Sequence, residues 1–294
     1  HRGEDVEKFV KKQHPESVCV YQKEQLGTAH AVSMAKDTLG DFDGNVLILY
    51  GDTPLITAKS LFDFVEYHNK NNSDITVMSS VFENPFGYGR IVRNKNDAVA
   101  EIVEQKDCSD IQKDIKEVNA GIYCLSWQKI KGFFDNLKND NVQNEYYLTD
   151  IIKWGNEAGL KVLAYILKDC SETLGINSRA QLADAFKTMN ERHLNELMEN
   201  GVTIVSPANT QISPETEIDA DTVIFPNTFI NGKNKIGKNC KIGPFAHLRG
   251  DCTIGDYVKI GNFVELKKSF VKSHTNISHL SYVGDAEVGS NVNI

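Results

Sequence analysis

An aliphatic residue recurs at every sixth position through most of the last third of the chain. Ten successive anchors, spaced six residues apart from Ile212 to Leu266, are all Ile or Leu. The register then shifts by one residue to Val271, shifts again to Val288, and reaches Ile294. A period of six fits neither the helical repeat nor the two-residue alternation of a strand. It predicts a left-handed parallel β-helix with inward-pointing anchors, and the alternative is a chance pattern in a β-sandwich.

Residues four positions after the anchors are small or compact, so we expect them to point inward where each coil narrows. They are Thr216, Thr222, Thr228, Asn234, Cys240, Ala246, Cys252, Val258 and Val264. This position makes Cys240 and Cys252 packing residues and not ligands. Glycine directly follows the anchor at Gly237, Gly243, Gly255, Gly261, Gly284 and Gly289. We attribute these glycines to turns that need a permissive backbone.

The rest of the chain follows a different pattern. Residues 1–176 alternate helix-like and strand-like stretches, which predicts a Rossmann-like, doubly wound α/β sheet. The continuous apolar run 46–50 is typical of a buried parallel strand. Residues 74–81 and 121–125 indicate further strands, and residues 60–69 have an apolar face at helical spacing.

We expect three parts in the chain. Residues 1–176 form the α/β domain, residues 177–200 form a linker helix capped by Asn177 or Ser178, and residues 201–294 form the β-helix. The sequence opens without methionine, in what reads as a helix already under way, and stops within a hexad. We therefore expect a fragment that lacks both ends.

The composition argues against some classes of partner. The net charge of −8 is poorly suited to binding nucleic acid or an anionic membrane, although a local basic pocket can still bind an anionic small molecule. No apolar run has the length of a membrane span, and no signal peptide opens the sequence. The six cysteines lack CxxC or zinc spacing, so we expect free thiols in a reducing cytoplasm.

Two segments of the α/β domain are candidates for chemistry. Asp52 directly follows the apolar run, and a carboxylate at the end of a buried strand is well placed for Mg²⁺; the alternative is that it caps a turn. In the segment 22–31, Gly27 permits close backbone approach to a planar ligand. Gln22 offers a donor and an acceptor for the edge of a base. His30 is expected to pack at the start of a helix.

Eight short motifs occur in the order and spacing of one known family. They are QKEQLGTAHA at 22–31, LYGDTPL at 49–55, GYGRI at 87–91, EVNAGI at 117–122, NEYYLTD at 144–150, GPFAHLR at 243–249, GNFVELKK at 261–268 and HLSYVGDA at 279–286. Through these motifs the chain resembles the GlmU family, bifunctional N-acetylglucosamine-1-phosphate uridylyltransferases and glucosamine-1-phosphate acetyltransferases. The resemblance implies a nucleotidyltransferase fold followed by a β-helix acetyltransferase domain. It also implies a cytoplasmic enzyme that supplies UDP-N-acetylglucosamine for peptidoglycan and lipopolysaccharide.

The resemblance implies roles for individual residues of the first domain. It places in the uridine nucleotide site Gln22, Gly27 and Thr28, which contact the uracil, with Tyr50, Gly51 and Asp52. It places around the sugar phosphate Tyr50, Gly51, Gly89, Glu104, Asn119 and Asn177. Asp52 and Asn177 are expected to hold Mg²⁺. The sugar's phosphate would then attack the α-phosphate of UTP in line and release pyrophosphate.

For acetyl transfer from acetyl-CoA, the resemblance makes His279 the general base, a role that suits a side chain titrating near neutrality. It places on glucosamine-1-phosphate Arg249, Lys267, Tyr282 and Asn293. Arg249 and Lys267 suit this role because a cationic side chain forms strong hydrogen bonds with a phosphate group. We expect Glu265 to orient His279. The family assembles as homotrimers through the β-helix, with the acetyl site between subunits.

Two parts of the family pattern have no counterpart in this sequence. The Gly-rich loop LxxGxGTxM, which cradles the triphosphate, is missing, and most acetyl-CoA residues would follow Asn293. We therefore expect weak UTP binding, little activity and poor trimerisation from this chain. Two alternatives stay open: another sugar nucleotidyltransferase, making ADP-glucose, GDP-mannose or dTDP-glucose, and a non-catalytic binding protein that keeps the fold.

Overall fold

A mixed six-stranded sheet organises the first part of the chain, and a stacked parallel β-helix organises the second. The computed structural model describes residues 2–294, and the helix expected at the start of the chain begins at Gly3. The chain divides into two compact units between Gly175 and Ile176. Within residues 2–294, no helix combines the length and apolar character that crossing a membrane would need.

The sheet of the first unit has the strand order β4-β3-β5-β2-β6. The sixth strand, β1, lies outside this order and also pairs with β5. Its strands are β1 (Asn45–Ile48), β2 (Ile75–Val81), β3 (Arg90–Arg93), β4 (Val99–Val103), β5 (Glu117–Ser126) and β6 (Val162–Ile166). β1 and β2 are both antiparallel to β5, and β2 is parallel to β6, so these three strands run in one direction. The segment expected to be a buried parallel strand is therefore β1, which is only partly buried and is hydrogen-bonded antiparallel to β5.

Seven α-helices accompany this sheet within the described residues. They are α1 (Gly3–Gln13), α2 (Thr28–Ser33), α3 (Lys36–Leu39), α4 (Ala58–Lys70), α5 (Asp110–Lys113), α6 (Trp127–Ile130) and α7 (Asp150–Glu157), with 3₁₀ turns at Lys131–Asp135 and Cys170–Thr173. Helix α4 starts where the side chain of Thr57 accepts a hydrogen bond from the Ser60 amide, a normal N-cap. It buries Phe64 and His68. The loop between β1 and α4 carries Asp52.

The second unit begins with helix α8 (Arg179–Glu199), capped by the Ser178 hydroxyl, which accepts a hydrogen bond from the Gln181 amide at 3.2 Å. Leu194 and Leu197 of this helix are buried in the same apolar core as the β-helix anchors. The helix therefore covers the first coil, which would otherwise expose an unpaired edge and an open apolar interior.

Fifteen short strands form three parallel sheets of five, one on each face of the β-helix. The first face holds β7 (Thr203–Ile204), β10 (Val223–Ile224), β13 (Lys241–Ile242), β16 (Lys259–Asn262) and β19 (Asn276–His279). The second face holds β8 (Gln211–Ile212), β11 (Phe229–Ile230), β14 (His247–Leu248), β17 (Glu265–Lys267) and β20 (Tyr282–Gly284). The third face holds β9 (Glu217–Ile218), β12 (Asn234–Ile236), β15 (Cys252–Ile254), β18 (Phe270–Val271) and β21 (Glu287–Val288).

The anchors fill the inside of this coil, as the repeat predicts. Ile224, Ile242 and Ile260 are register partners on the first face, and none of the three is exposed. Stacking of like on like gives an apolar column that runs through the unit, and each fully buried Ile contributes roughly 1.5–3 kcal/mol of transfer free energy. The parallel β-helix expected from the six-residue period is confirmed.

The compact residues four positions after the anchors are also buried, as predicted. Asn234 shows why polar groups are tolerated there. Its amide nitrogen donates to the Thr216 hydroxyl at 3.1 Å, and its amide oxygen accepts from the Cys252 backbone at 3.2 Å. Burial raises the thiol pKa of both Cys240 and Cys252, in keeping with their role as packing residues.

The glycines that follow the anchors are not explained by turn conformation, so that prediction is wrong. Of the six that follow an anchor, only Gly243 has a positive φ. The corners between the first and second faces are instead turned by residues with side chains, whose φ lies between 51° and 57°: Asn227, Phe245, Phe263 and Leu280. Gly261 is needed because a Cβ there would come within 1.8 Å of the carbonyl oxygen of Ser278 in the next coil. Close approach between coils, and not turn conformation, demands glycine at this position.

Candidate functional site

The start of helix α2 is fastened to the segment around Tyr146. The Tyr146 amide donates to the Leu26 carbonyl at 2.7 Å, and the Ala29 amide donates to the Tyr146 carbonyl at 2.9 Å. Between these bonds, Gly27 has φ +122°, and a Cβ there would lie 2.5 Å from the Tyr146 carbonyl oxygen. Only glycine fits this approach. Gln22 reaches back to the same turn, where its amide nitrogen donates to the Gly27 carbonyl at 3.1 Å.

Thr28 connects this turn to the end of β1. Its hydroxyl accepts a hydrogen bond from the Leu148 amide at 3.0 Å and also bonds the hydroxyl of Tyr50. Burial raises the pKa of Tyr50 to about 12, and the carboxylates of Glu104 and Asp52 add to the shift. The turn at Gly27 and Thr28, here called the candidate uracil turn, is therefore joined to the candidate sugar site through the Thr28–Tyr50 contact.

Three of the residues predicted to bind the sugar phosphate meet at one place. A Cβ on Gly89 would lie 3.3 Å from both carboxylate oxygens of Glu104, and the Gly89 carbonyl accepts from the Asn119 amide at 2.8 Å. The Asn119 side chain in turn accepts from the Gly121 amide at 2.9 Å. Burial raises the pKa of Glu104, which a hydrogen bond from Thr149 at 3.3 Å opposes. A partly buried carboxylate with one weak partner is suited to accept hydrogen bonds from a polyol.

Asp52 lies exposed in the loop after β1, beside Gly51, where a Cβ would meet no atom within 4 Å. The turn in this loop is closed by the Thr53 hydroxyl, which donates to the Tyr50 carbonyl at 3.1 Å. Asn177, predicted to share a cation with Asp52, belongs to the second unit and uses its backbone amide to bond Gln181. The pairing of Asp52 with Asn177 stays a prediction.

Four of the residues predicted for acetyl transfer lie on or directly beside the second face of the β-helix. They are Arg249, Glu265, Lys267 and Tyr282. Arg249 donates to Glu265 at 2.8 Å, and Lys267 lies 3.7 Å from Asp285. Glu265 and Tyr282 are register partners on adjacent coils, and the Tyr282 ring is exposed. Two cations, each with a carboxylate close by, and one phenol thus line a single outward face.

His279 is exposed at the end of β19, on the first face, where it pairs in register with Asn262. Asn293 bridges to Asn276 on this same face. Glu265 lies on the second face and accepts a hydrogen bond from Arg249 at 2.8 Å, and its expected role in orienting His279 stays a prediction. Within residues 2–294, no cluster of three or more His, Cys, Asp or Glu side chains could hold a metal ion.

Sequence reasoning missed several residues that shape the first site. Thr149 bonds Glu104, and the Tyr146 backbone receives the α2 turn, although their motif at 144–150 carried no assigned role. Arg90 is 1% exposed and donates to Gln105 at 2.8 Å. The sequence feature that could have indicated Arg90 is its position directly after the Gly-Tyr-Gly segment 87–89. A turn of this kind needs a hydrogen-bond donor to stabilise it.

Comparisons with known proteins match both units. The Nucleotidyl transferase family model matches residues 3–171, and the Bacterial transferase hexapeptide model matches residues 235–268. Fold and matches together define a transferase in which a nucleotidyltransferase domain is joined to a hexapeptide-repeat acyltransferase domain. The bifunctional protein GlmU of Bacillus licheniformis is 44% identical over 327 residues, covering 100% of this chain, and that of Acetivibrio thermocellus is 43% identical over 325 residues, covering 99%. The chain belongs to the GlmU family.

The chain is shorter than these relatives. The two alignments cover 71% and 70% of the relatives' own length. The alignment with the Bacillus licheniformis protein also exceeds the 294 residues of the chain by 33 positions, so that protein has at least 33 residues without a counterpart here.

Proposed function

We propose that the chain catalyses, at the low rate expected without the Gly-rich loop and the acetyl-CoA residues, two steps in the synthesis of UDP-N-acetylglucosamine. The first is N-acetylation of glucosamine-1-phosphate by acetyl-CoA, and the second is uridylyl transfer from UTP to N-acetylglucosamine-1-phosphate, which releases pyrophosphate. The observation that carries the proposal is the 43–44% identity to proteins named bifunctional GlmU over practically all of the chain. We place the enzyme in the reducing cytoplasm, which suits its six free cysteines.

For uridylyl transfer, Gln22, Gly27 and Thr28 would bind the uracil, and Tyr50 would connect that turn to the sugar site. Glu104 would accept hydrogen bonds from sugar hydroxyls, since burial leaves its carboxylate short of solvent. The other groups in this site are Gly51, Gly89, Asn119 and Asn177. The protein's part in the reaction is to align the sugar's phosphate for in-line attack on the α-phosphate, because such transfers depend on positioning and charge stabilisation.

Asp52 and Asn177 would hold Mg²⁺. The donor set suits the ion, because carboxylate and amide oxygens are the hard ligands it takes alongside substrate phosphates. Asp52 is exposed, so its carboxylate is accessible to a cation. When bound, Mg²⁺ would neutralise charge on the phosphates.

For acetyl transfer, Arg249 and Lys267 would bind the phosphate of glucosamine-1-phosphate, with Tyr282 and Asn293 on the sugar. The sugar's amine would attack the thioester carbonyl of acetyl-CoA, its proton would pass to His279, and the thiolate of CoA would leave. His279 is exposed and has no ring hydrogen bond within the described residues, so its nitrogen is free to take that proton. We also propose that the chain forms the family's homotrimer through the β-helix only weakly, which sedimentation equilibrium would test.

Pyrophosphate release under single-turnover conditions, with enzyme in excess, tests the uridylyl step. UTP with N-acetylglucosamine-1-phosphate should give pyrophosphate. ATP or GTP with glucose- or mannose-1-phosphate should not. Turnover with purine nucleotides alone would favour another sugar nucleotidyltransferase, and absence of turnover with every pair would favour the non-catalytic binding protein.

The acetyl step is tested with His279→Ala. This variant should lose thiol release from acetyl-CoA in the presence of glucosamine-1-phosphate and keep the uridylyl step. His274→Ala is the matched control, because His274 is an exposed histidine of the same β-helix that stacks on Tyr257 at another corner. Acetylation that persists in His279→Ala would refute the assignment of the base.

A further inference from the structure

The side chain of Gln22 is held by two contacts in the candidate uracil turn. Its Nε2 lies 3.1 Å from the Gly27 carbonyl oxygen and 3.0 Å from Nδ1 of His30. Sequence reasoning expected His30 only to pack at a helix start. The structure instead gives its ring a polar contact with the residue expected to read the base.

These contacts determine which way the Gln22 amide is turned. A carbonyl oxygen can only accept, so the group facing Gly27 has to be the NH₂ group of the glutamine. The second hydrogen of that NH₂ then points to His30, whose Nδ1 has to be an acceptor. The His30 ring is therefore neutral in this arrangement, with its proton on Nε2.

With both amide hydrogens used, Gln22 can offer only its Oε1, which has no hydrogen-bond partner among residues 2–294. An acceptor fits the N3–H of uracil. It repels the N3 of cytosine, which is itself an acceptor. Without His30, only the Gly27 carbonyl would hold the NH₂ group, so the amide could rotate more readily and present a donor to cytosine.

Helix α2 holds His30 in place. The preceding residue, Ala29, is fully buried and hydrogen-bonded to Tyr146, and the His30 ring lies 6.3 Å from the Tyr146 ring. The His30 carbonyl also accepts from the Ser33 hydroxyl at 2.8 Å. The imidazole therefore comes to Gln22 from a backbone that is fixed on both sides.

We propose that His30 is a positioning residue for base selection, which fixes the Gln22 amide as an acceptor and thereby favours uridine over cytidine nucleotides. This inference rests on the proposed uridine nucleotide site. It goes beyond that site by assigning the choice between pyrimidines to a residue that does not itself contact the base.

The test compares UTP and CTP binding to the whole chain by competition in ligand-observed NMR. His30→Leu keeps a side chain of similar bulk and removes the acceptor, so the preference for UTP over CTP should fall about tenfold, the effect of one hydrogen bond to a base edge. His30→Asn places Oδ1 where Nδ1 stood and should restore most of the preference. The ratio of the two affinities is the readout, because a folding defect would weaken both nucleotides alike.

Two results would overturn different parts of this reasoning. If the unmodified chain prefers UTP and His30→Leu keeps the same preference, His30 has no role in selection and the proposed function stands. If the unmodified chain shows no preference for UTP, the uridine site itself is wrong, and the inference is overturned with it.

Discussion

Replacing Gly261 by alanine should destabilise the β-helix much more than its chemistry suggests. The new Cβ would come within 1.8 Å of the Ser278 carbonyl oxygen, a backbone atom of the next coil that cannot rotate away. Overpacking of this kind costs about 1–3 kcal/mol, and separating β16 from β19 would loosen hydrogen bonds worth about 1 kcal/mol each. We expect a loss of about 3 kcal/mol in the free energy of unfolding.

Gly289→Ala is the matched control. Gly289 also follows an anchor and also lacks a positive φ, but its nearest neighbour to a new Cβ is a Val292 methyl group at 3.7 Å, an ordinary contact. This variant should be neutral or gain about 0.5 kcal/mol from the restricted unfolded chain.

Denaturant unfolding can measure both variants unit by unit. Both tryptophans, Trp127 and Trp154, lie in the first unit, so their fluorescence follows that unit, and far-UV circular dichroism also reports the β-helix. Gly261→Ala should lower the midpoint of the β-helix transition and leave the tryptophan transition in place. Equal midpoints for Gly261→Ala and Gly289→Ala would refute the argument that coil-to-coil approach demands glycine.

Two further predictions concern charges in the two sites. Burial raises the pKa of Glu104, so its contribution to stability is complete below the unfolded value of 4.5 and is lost as the pH rises through the folded value. Glu104→Gln should therefore stabilise the first unit at neutral pH, with a gain that shrinks toward acid; a gain that grows toward acid would contradict this sign. Arg249→Ala removes an ion pair whose side chains are 47% and 37% exposed, so the free energy of unfolding should hardly change, while the binding of glucosamine-1-phosphate should weaken measurably in a titration. A large stability loss in Arg249→Ala would make the arginine structural.

The fold of the second unit was predictable because its information is local and repeated. Each anchor of the hexad series has one requirement, an apolar side chain of fixed size, and Ile236, Ile242 and Ile254 are 2% exposed or less, as that requirement demands. The first unit was predictable only in outline. An apolar run indicates a strand, but its partner depends on the rest of the sheet, and β1 pairs antiparallel to a strand about 75 residues later.

The sites were predictable to different degrees for the same reason. Motif matching proposed Gly89, Glu104 and Asn119, and the structure brings these three together. It could not foresee that Thr28 and Tyr50 connect them to the uracil turn, because that contact depends on how two loops fold over the sheet. Residue spacing likewise did not predict that Glu265 bonds Arg249, because the partner of Glu265 depends on which face of the coil it occupies.

The two register slips in the hexad repeat have a single structural explanation. Both five-residue steps, Leu266 to Val271 and Val283 to Val288, lie at the corner between the second and third faces, in successive coils. The strands keep their register on both sides of the change: Val271 pairs with Ile254 of the preceding coil, where the step is six residues, and Phe270 pairs with Glu287 of the next coil. What reads in the sequence as decay of the repeat is therefore a change from six to five residues that is itself repeated from coil to coil. Because the anchors stay in register across the change, the corner itself absorbs the missing residue and the strands do not shift.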